Sequence, residues 1–264
     1  LRDLGKLKEA EISYRKAINL DQNLNGIFYN LGITLNALGK SKELIKLSRS
    51  IPQSNSINQG YKLLTLIEIT IANLLQGDFS ETLLNINKAN ELIKKGAISM
   101  IKEEKNRKNT IYYARFITEL YTLLEKENIN SKLKKIPHFG ESHCLSFAHQ
   151  KVTISSDLKE IKPVLIKGGK AWHFANKSCN KWKDSLKEQM NNHKYSDKAF
   201  ISFGEIDCRK DEGILKYSIK NNKNISEVCE QTIKNYLDFM EKVLSQNYSK
   251  RYYFGIAAPN RKKE

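Results

Sequence analysis

Apolar residues in the first half of the chain recur at helical intervals. Ala10, Tyr14 and Ala17 fall on one face of one helix, and Phe28, Leu31, Gly32 and Leu35 on one face of the next, with Leu20-Asp21 leading out of the first. A third helical unit is expected from Tyr61 to Leu92, with Gly77 in its turn and Ala89 at a packing position. A closing helix is expected from Ile111 to Leu124, through Ile111, Tyr112, Phe116, Leu120, Leu123 and Leu124. Near Lys134 the period changes to short apolar runs separated by helical stretches. Strands are predicted at Ile136–Phe139, Val164–Ile166, Phe200–Phe203 and Tyr252–Ala257, and helices at Cys144–Gln150, Ala171–Asn191 and Ile225–Gln246. Strands alternating with helices argue for a parallel sheet with crossover helices, whose chemistry sits at the carboxyl ends of the strands. Two domains follow, a helical one over residues 1–130 and an α/β one over residues 134–264.

The helical half repeats itself. Leu4-Gly5-Lys6 recurs as Leu38-Gly39-Lys40, 34 residues later, and Gly77 follows Gly39 by 38. Small residues such as Ala10 and Gly32 let helices approach closely, and glycines end helices in turns. In period and residue type this half resembles the tetratricopeptide repeat (TPR) family. It departs from that pattern at Gln22, where the family prefers Pro, and at Leu44 and Ser48, where it prefers Ala and an aromatic. The resemblance implies an α-helical solenoid whose surface docks a peptide or protein partner.

Composition narrows the class. The chain has 264 residues, 40% of them hydrophobic and 28% charged, with four prolines and no apolar run long enough for a membrane span, which describes a globular protein with no membrane partner. It starts at Leu1 without a signal-peptide pattern, and its four cysteines show no CxxC pairing, so reduced thiols and a cytoplasmic location are expected. Both ends look cut. The net charge of +16 is split evenly between residues 1–140 and 141–264 and is carried mostly by lysine, with eight arginines in all. Such a diffuse excess argues against nucleic-acid recognition, which favours clustered arginine.

Unusual residues gather where the predicted strands end. The first strand runs into Gly140-Glu141-Ser142-His143, the second into Gly168-Gly169-Lys170, and the third into Gly204-Glu205-Ile206-Asp207-Cys208-Arg209. These motifs resemble the SGNH or GDSL hydrolase family, a flavodoxin-like three-layer α/β/α fold of esterases, lipases and carbohydrate deacetylases. The resemblance covers about residues 136–264. It implies Ser142 as nucleophile at a helix N-terminus, Gly168 as a backbone oxyanion donor, and Gly204-Glu205-Ile206-Asp207 as the third motif. Glu141 stands where the family has Asp, and Ile206 stands where it has an Asn that donates to the oxyanion. The Asp-x-x-His that activates the serine is absent, and a base beyond Glu264 is expected instead.

Other chemistry is weaker. Glu205, Asp207 and Arg209 alternate, and in an extended segment they would share one side, positioning substrate or forming an ion-pair network. Ligand spacings of the HExxH or CxxC kind are missing, so no metal is expected despite His143, His173 and the nearby carboxylates, and no cofactor motif is present. Cys144, at a helix start, reads as a buried small residue. The expected function is ester chemistry on an acylated or carbohydrate substrate by a serine esterase, deacetylase or acyltransferase. The alternative is a non-catalytic binding scaffold on a degenerate hydrolase fold.

Overall fold

The computed structural model describes residues 1–24, 26–48, 58–124 and 133–254. The chain divides into two compact units, Lys6–Lys132 with Leu1–Arg2, and Leu133–Glu264 with Asp3–Gly5.

The first unit is helical, with α1 (Leu7–Leu20), α2 (Ile27–Ala37), α3 (Ser41–Leu47), α4 (Gln59–Gln76), α5 (Phe79–Lys94) and α6 (Glu104–Leu124). The sequence repeat is a repeated turn. Gly5, Gly39 and Gly77 are all left-handed, at φ +80°, +71° and +78°, and the next residue, Lys6, Lys40 or Asp78, is the N-cap of α1, α3 or α5. A side chain strains at these φ values, so a glycine just before the N-cap marks the starts of α1, α3 and α5. Only Asp78 also caps with its side chain, accepting from Glu81 N–H at 3.1 Å.

Helices α1, α2, α3 and α4 share a core in which Phe28, Leu31, Leu35, Leu44 and Ile69 are buried and Tyr14 and Ala17 pack from the side. Each fully buried Leu or Phe in such a core contributes about 2 kcal/mol. Gly32 sits where an added Cβ would lie 3.3 Å from Leu44 Cδ1, so α2 approaches α3 closely there. The closing helix starts earlier than its periodicity predicts and buries a rotated face that keeps only Leu120 and Leu124 of the expected one as buried residues. Thr110, Ala114, Ile117, Leu120 and Leu124 point inward, whereas Ile111, Tyr112 and Leu123 are exposed.

The second unit holds β1 (Lys135–Gly140), β2 (Lys151–Ile154), β3 (Asp157–Leu165), α7 (Ala171–Ala175), α8 (Lys181–Asn192), β4 (Lys198–Ser202), α9 (Gly213–Asn221), α10 (Ile225–Leu244) and β5 (Lys250–Tyr253). The sheet order is β2-β3-β1-β4-β5. Strands β3, β1, β4 and β5 run parallel, but β2 is antiparallel to β3, so the sheet is mixed and not wholly parallel as the sequence suggested. The β2–β3 hairpin turns on Ser155 and Ser156, both at positive φ. The predicted helix Cys144–Gln150 is a 3-10 turn at Ser142–Phe147, and the predicted helix Ala171–Asn191 is broken into α7 and α8. Asn180 makes the break, its side chain accepting from Trp182 and Lys183 N–H at 3.1 Å each. The predicted strand at Tyr252–Ala257 is seen only at its start, residues 255–257 lying outside the described residues.

Alternation along the strands sorts two faces. Phe139, Val164, Ala199 and Ile201 face a core completed by Phe174, Leu186, Tyr236 and Met240 from α7, α8 and α10. Ile136, Ile161 and Phe200 form a smaller cluster on the opposite face, joined by Val152 and Ile154 of β2. No described helix is long and apolar enough to cross a membrane.

Candidate active site

The carboxyl end of central strand β1 is built around Gly140. An added Cβ there would lie 2.4 Å from Ser202 Oγ, 2.7 Å from Cys144 Cβ and 2.9 Å from Ser202 O, so no side chain fits between β1, β4 and the following turn. Glu141 comes next and is buried at 1% exposure. Its carboxylate folds back over its own turn. Oε2 accepts from Ser142 Oγ at 2.9 Å and from His143 N–H at 3.2 Å, while Oε1 lies 2.6 Å from His143 Nδ1.

The electrostatics follow. Burial pushes the Glu141 carboxyl upward, but its hydrogen bonds to His143 and Ser142 and the charge of His143 outweigh burial and hold it below the usual range. The same hydrogen bond lifts His143 above the ordinary imidazole range against partial desolvation. Ser142 thus donates a hydrogen bond to a carboxylate that prefers to stay ionised. The carboxylate lies between serine and imidazole, whereas in a hydrolase triad the imidazole lies between the other two.

The loop after β4 brings in Glu205, whose Oε2 lies 4.0 Å from His143 Nδ1. Residues Ile206–Cys208 form a 3-10 turn, so Glu205, Asp207 and Arg209 do not alternate along an extended segment; Glu205 and Arg209 stay together and Asp207 departs from them. Arg209 returns one turn later to hold Glu205, Nη2 to Oε2 at 2.6 Å and Nε to Oε1 at 3.2 Å. Asp207 turns away and is buried. It accepts from Ala171 N–H at 2.8 Å and Trp172 N–H at 3.2 Å, capping α7 from a distant loop. Burial pushes its carboxyl up to about 6 despite these donors and the charge of Lys170. Gly213, at φ +50°, lets α9 start against Asp207, where a Cβ would meet Oδ1 at 2.5 Å.

The remaining expected residues take structural places. Gly168 occupies a left-handed turn after β3, at φ +69°, beside the Trp182 indole. Gly204 leads from β4 into the Glu205 turn, its carbonyl accepting from Asp207 N–H at 3.1 Å. Ser142 begins a six-residue 3-10 turn and not an α-helix, so the expected helix N-terminus is absent there. Cys144 is fully buried, and burial drives its thiol well above its ordinary pKa, so it is an inert packing residue. His173 stacks on Trp182 with ring centroids 3.4 Å apart.

Two features escaped the sequence. His138, fully buried on β1, lies 2.8 Å by Nε2 from Ser202 Oγ on β4, and burial lowers its pKa to about 4. Its Nδ1 has no hydrogen-bond partner among the described residues, and its ring is enclosed by Phe147, Phe200 and Phe254. Sixty-four residues separate it from Ser202, so only the β1–β4 register could reveal the pair. Secondly, Glu141, His143 and Glu205 place donor atoms within 4.8 Å of one another, a geometry able to hold a metal ion where the sequence spacing gave no sign of one.

A cavity of about 540 Å³ opens by α7, α9 and α10, lined by Trp172, Tyr217, Lys223, Gln231 and Asn235 among others. Trp172 links it to the strand ends through Asp207. Comparison with known proteins matches this chain to no family model, no curated protein and no solved structure.

Proposed function

We propose that the sheet unit is an SGNH-like hydrolase module acting on the ester of an acylated or carbohydrate substrate, and that the helical unit is a TPR-like array that docks a protein partner. One observation carries the first part: the Ser142–Glu141–His143 constellation sits at the carboxyl end of a central parallel strand, next to the Glu205–Arg209 pair from the adjoining strand. Ligands of open α/β sheets bind at such strand ends.

In this reading Ser142 Oγ attacks the acyl carbon. Its proton passes to the Glu141–His143 pair and then to the leaving alcohol oxygen as the ester C–O bond breaks, and water later releases the acyl group by the reverse path. The backbone of the Ser142 loop and Gly168 receive the oxyanion, and Arg209 orients Glu205. The cavity by Trp172 and Tyr217 offers aromatic surface and amide groups suited to a sugar ring. The helical unit contributes the recurring Gly-Lys and Gly-Asp turns on which the TPR likeness rests.

A second reading, a binding scaffold without turnover, is favoured by a specific observation. The Ile206 side chain supplies no hydrogen-bond donor, and the Ser142 hydroxyl is engaged by a carboxylate held ionised. Loss of one oxyanion donor costs about 3 kcal/mol of transition-state stabilisation. A serine-directed fluorophosphonate separates the two readings. A catalytic serine is labelled in the folded protein, and Ser142→Ala abolishes the label; a folded protein that takes no label has no activated serine, which overturns the serine-ester reading.

A further inference from the structure

We propose that Glu141, His143 and Glu205 form the protein side of a binding site for one divalent transition-metal ion of the zinc class. This goes beyond the ester reading and stands without it.

The donors come from two loops at the ends of adjacent parallel strands, one from β1 and one from β4. An ion bound at about 2.1 Å from nitrogen or oxygen in tetrahedral geometry holds its donors about 3.4 Å apart. The distances from His143 Nδ1 to Glu141 Oε1, 2.6 Å, and to Glu205 Oε2, 4.0 Å, bracket that value. His143 is the member that must adjust, and its side chain is 46% exposed.

The surroundings are ordered as a metal site requires. Ser142 Oγ–H and His143 N–H both bind Glu141 Oε2, which fixes the carboxylate and directs Oε1 toward the imidazole. Arg209 grips Glu205 through both of its carboxylate oxygens, and it can keep Oε1 while Oε2 turns to an ion. Two carboxylates against one guanidinium leave the cluster net negative when the imidazole is neutral, which is the form that ligates. One nitrogen and two oxygens, with no thiolate, suit zinc, manganese or cobalt. Three protein donors with His143 facing solvent leave a fourth position open to water or to a substrate oxygen, the pattern of catalytic sites and not of closed structural ones. An ion there would act as a Lewis acid on a carbonyl or phosphoryl oxygen.

The test is direct. The full chain, stripped with chelator, is titrated calorimetrically with zinc chloride, and Co²⁺ is added separately to read its visible absorption. One ion per chain is expected, with the intense absorption of four-coordinate Co²⁺. Affinity should fall at least tenfold in His143→Ala and in Glu205→Gln, changes that leave the more deeply buried Glu141 in place. A variant with Cys179 and Cys208 changed to serine should bind as the parent does, since these exposed thiols are the competing donors. No binding by the folded parent, or binding that survives both His143→Ala and Glu205→Gln, overturns the proposal. Fluorophosphonate labelling of Ser142 is a separate readout, so the metal site and the ester reading can fail independently.

Discussion

Two buried glutamates, one in each unit, solve the same problem differently. Glu11 on α1 is 6% exposed and is met by Arg15 at 2.9 Å and Lys40 at 2.8 Å. Glu141 is buried more deeply and is met by a hydroxyl, a backbone amide and an imidazole. Both carboxyls lie below their ordinary range although burial pushes each upward. The difference lies in what the partners tie together. Lys40 is the N-cap of α3, so Glu11 joins α1 to the turn that starts another helix, and its cations are charged at every physiological pH. The side-chain partners of Glu141 all come from its own turn. Among the described residues its carboxylate fastens no second element, and one partner carries a charge that depends on pH. A buried charge that returns so little to the architecture is the kind found at sites of chemistry or binding.

The contrast can be broken most forcefully at Gly140. Gly140→Ala forces a Cβ against Ser202 and Cys144, and a loss of about 3 kcal/mol is expected in urea unfolding of the full chain. Gly96→Ala meets nothing within 4 Å and pays only for its left-handed φ, about 1 kcal/mol. Equal costs at the two positions would mean that the strand end is not packed as described.

Next in size is the comparison of the glutamates themselves. Glu11→Gln should lower stability by about 2 kcal/mol by weakening two charge-assisted hydrogen bonds. Glu141→Gln, which keeps an acceptor for Ser142 and His143 N–H, should cost less, and it should move the NMR titration midpoint of His143 downward because the carboxylate that raises it is gone. A larger stability loss for Glu141 than for Glu11 would reverse the assignment of architecture and chemistry.

The smallest step, counted per unit of pH, is read by acid. His138 is held neutral by burial, with its pKa lowered to about 4, so the unfolded chain binds the extra proton first. Stability should therefore fall as pH drops from about 6.5 to about 4, by at most about 1.4 kcal/mol per unit, and His138→Phe should flatten that slope. Glu11 acts lower. Its depressed carboxyl contributes stability above the unfolded value of 4.5 that is lost as pH falls through the folded one. The His138 slope should thus appear at higher pH than the Glu11 slope.

Much of this was legible in the residues, for physical reasons. The 34-residue recurrence of Gly-Lys marked equivalent turns because only glycine takes their backbone without strain. Gly140, Glu141, Ser142 and Glu205 stood out because glycines and polar residues directly followed apolar runs. What stayed hidden depended on tertiary context. Lys159, Glu160 and Lys162 disguised the first half of β3, since charged residues rarely occupy a strand that buries all three of them. Glu160 is tolerated there because His149 Nδ1 meets it at 2.8 Å. The break between α7 and α8 needed the cap at Asn180, which a continuous apolar pattern conceals. Asp207 read as a site residue by motif, yet its carboxylate serves the backbone of another loop. Nor could spacing show that Glu205 returns to within reach of His143, because that depends on β1 and β4 being neighbours.

The clamp made by Asp207 has a consequence in time. Because one carboxylate holds the amide protons of Ala171 and Trp172 from the far side of the β4 loop, those two amides can meet solvent deuterium only when that loop lifts away from α7. Their exchange should therefore time the opening of the contact between the β4 loop and the start of α7, which protects neither amide once it is broken.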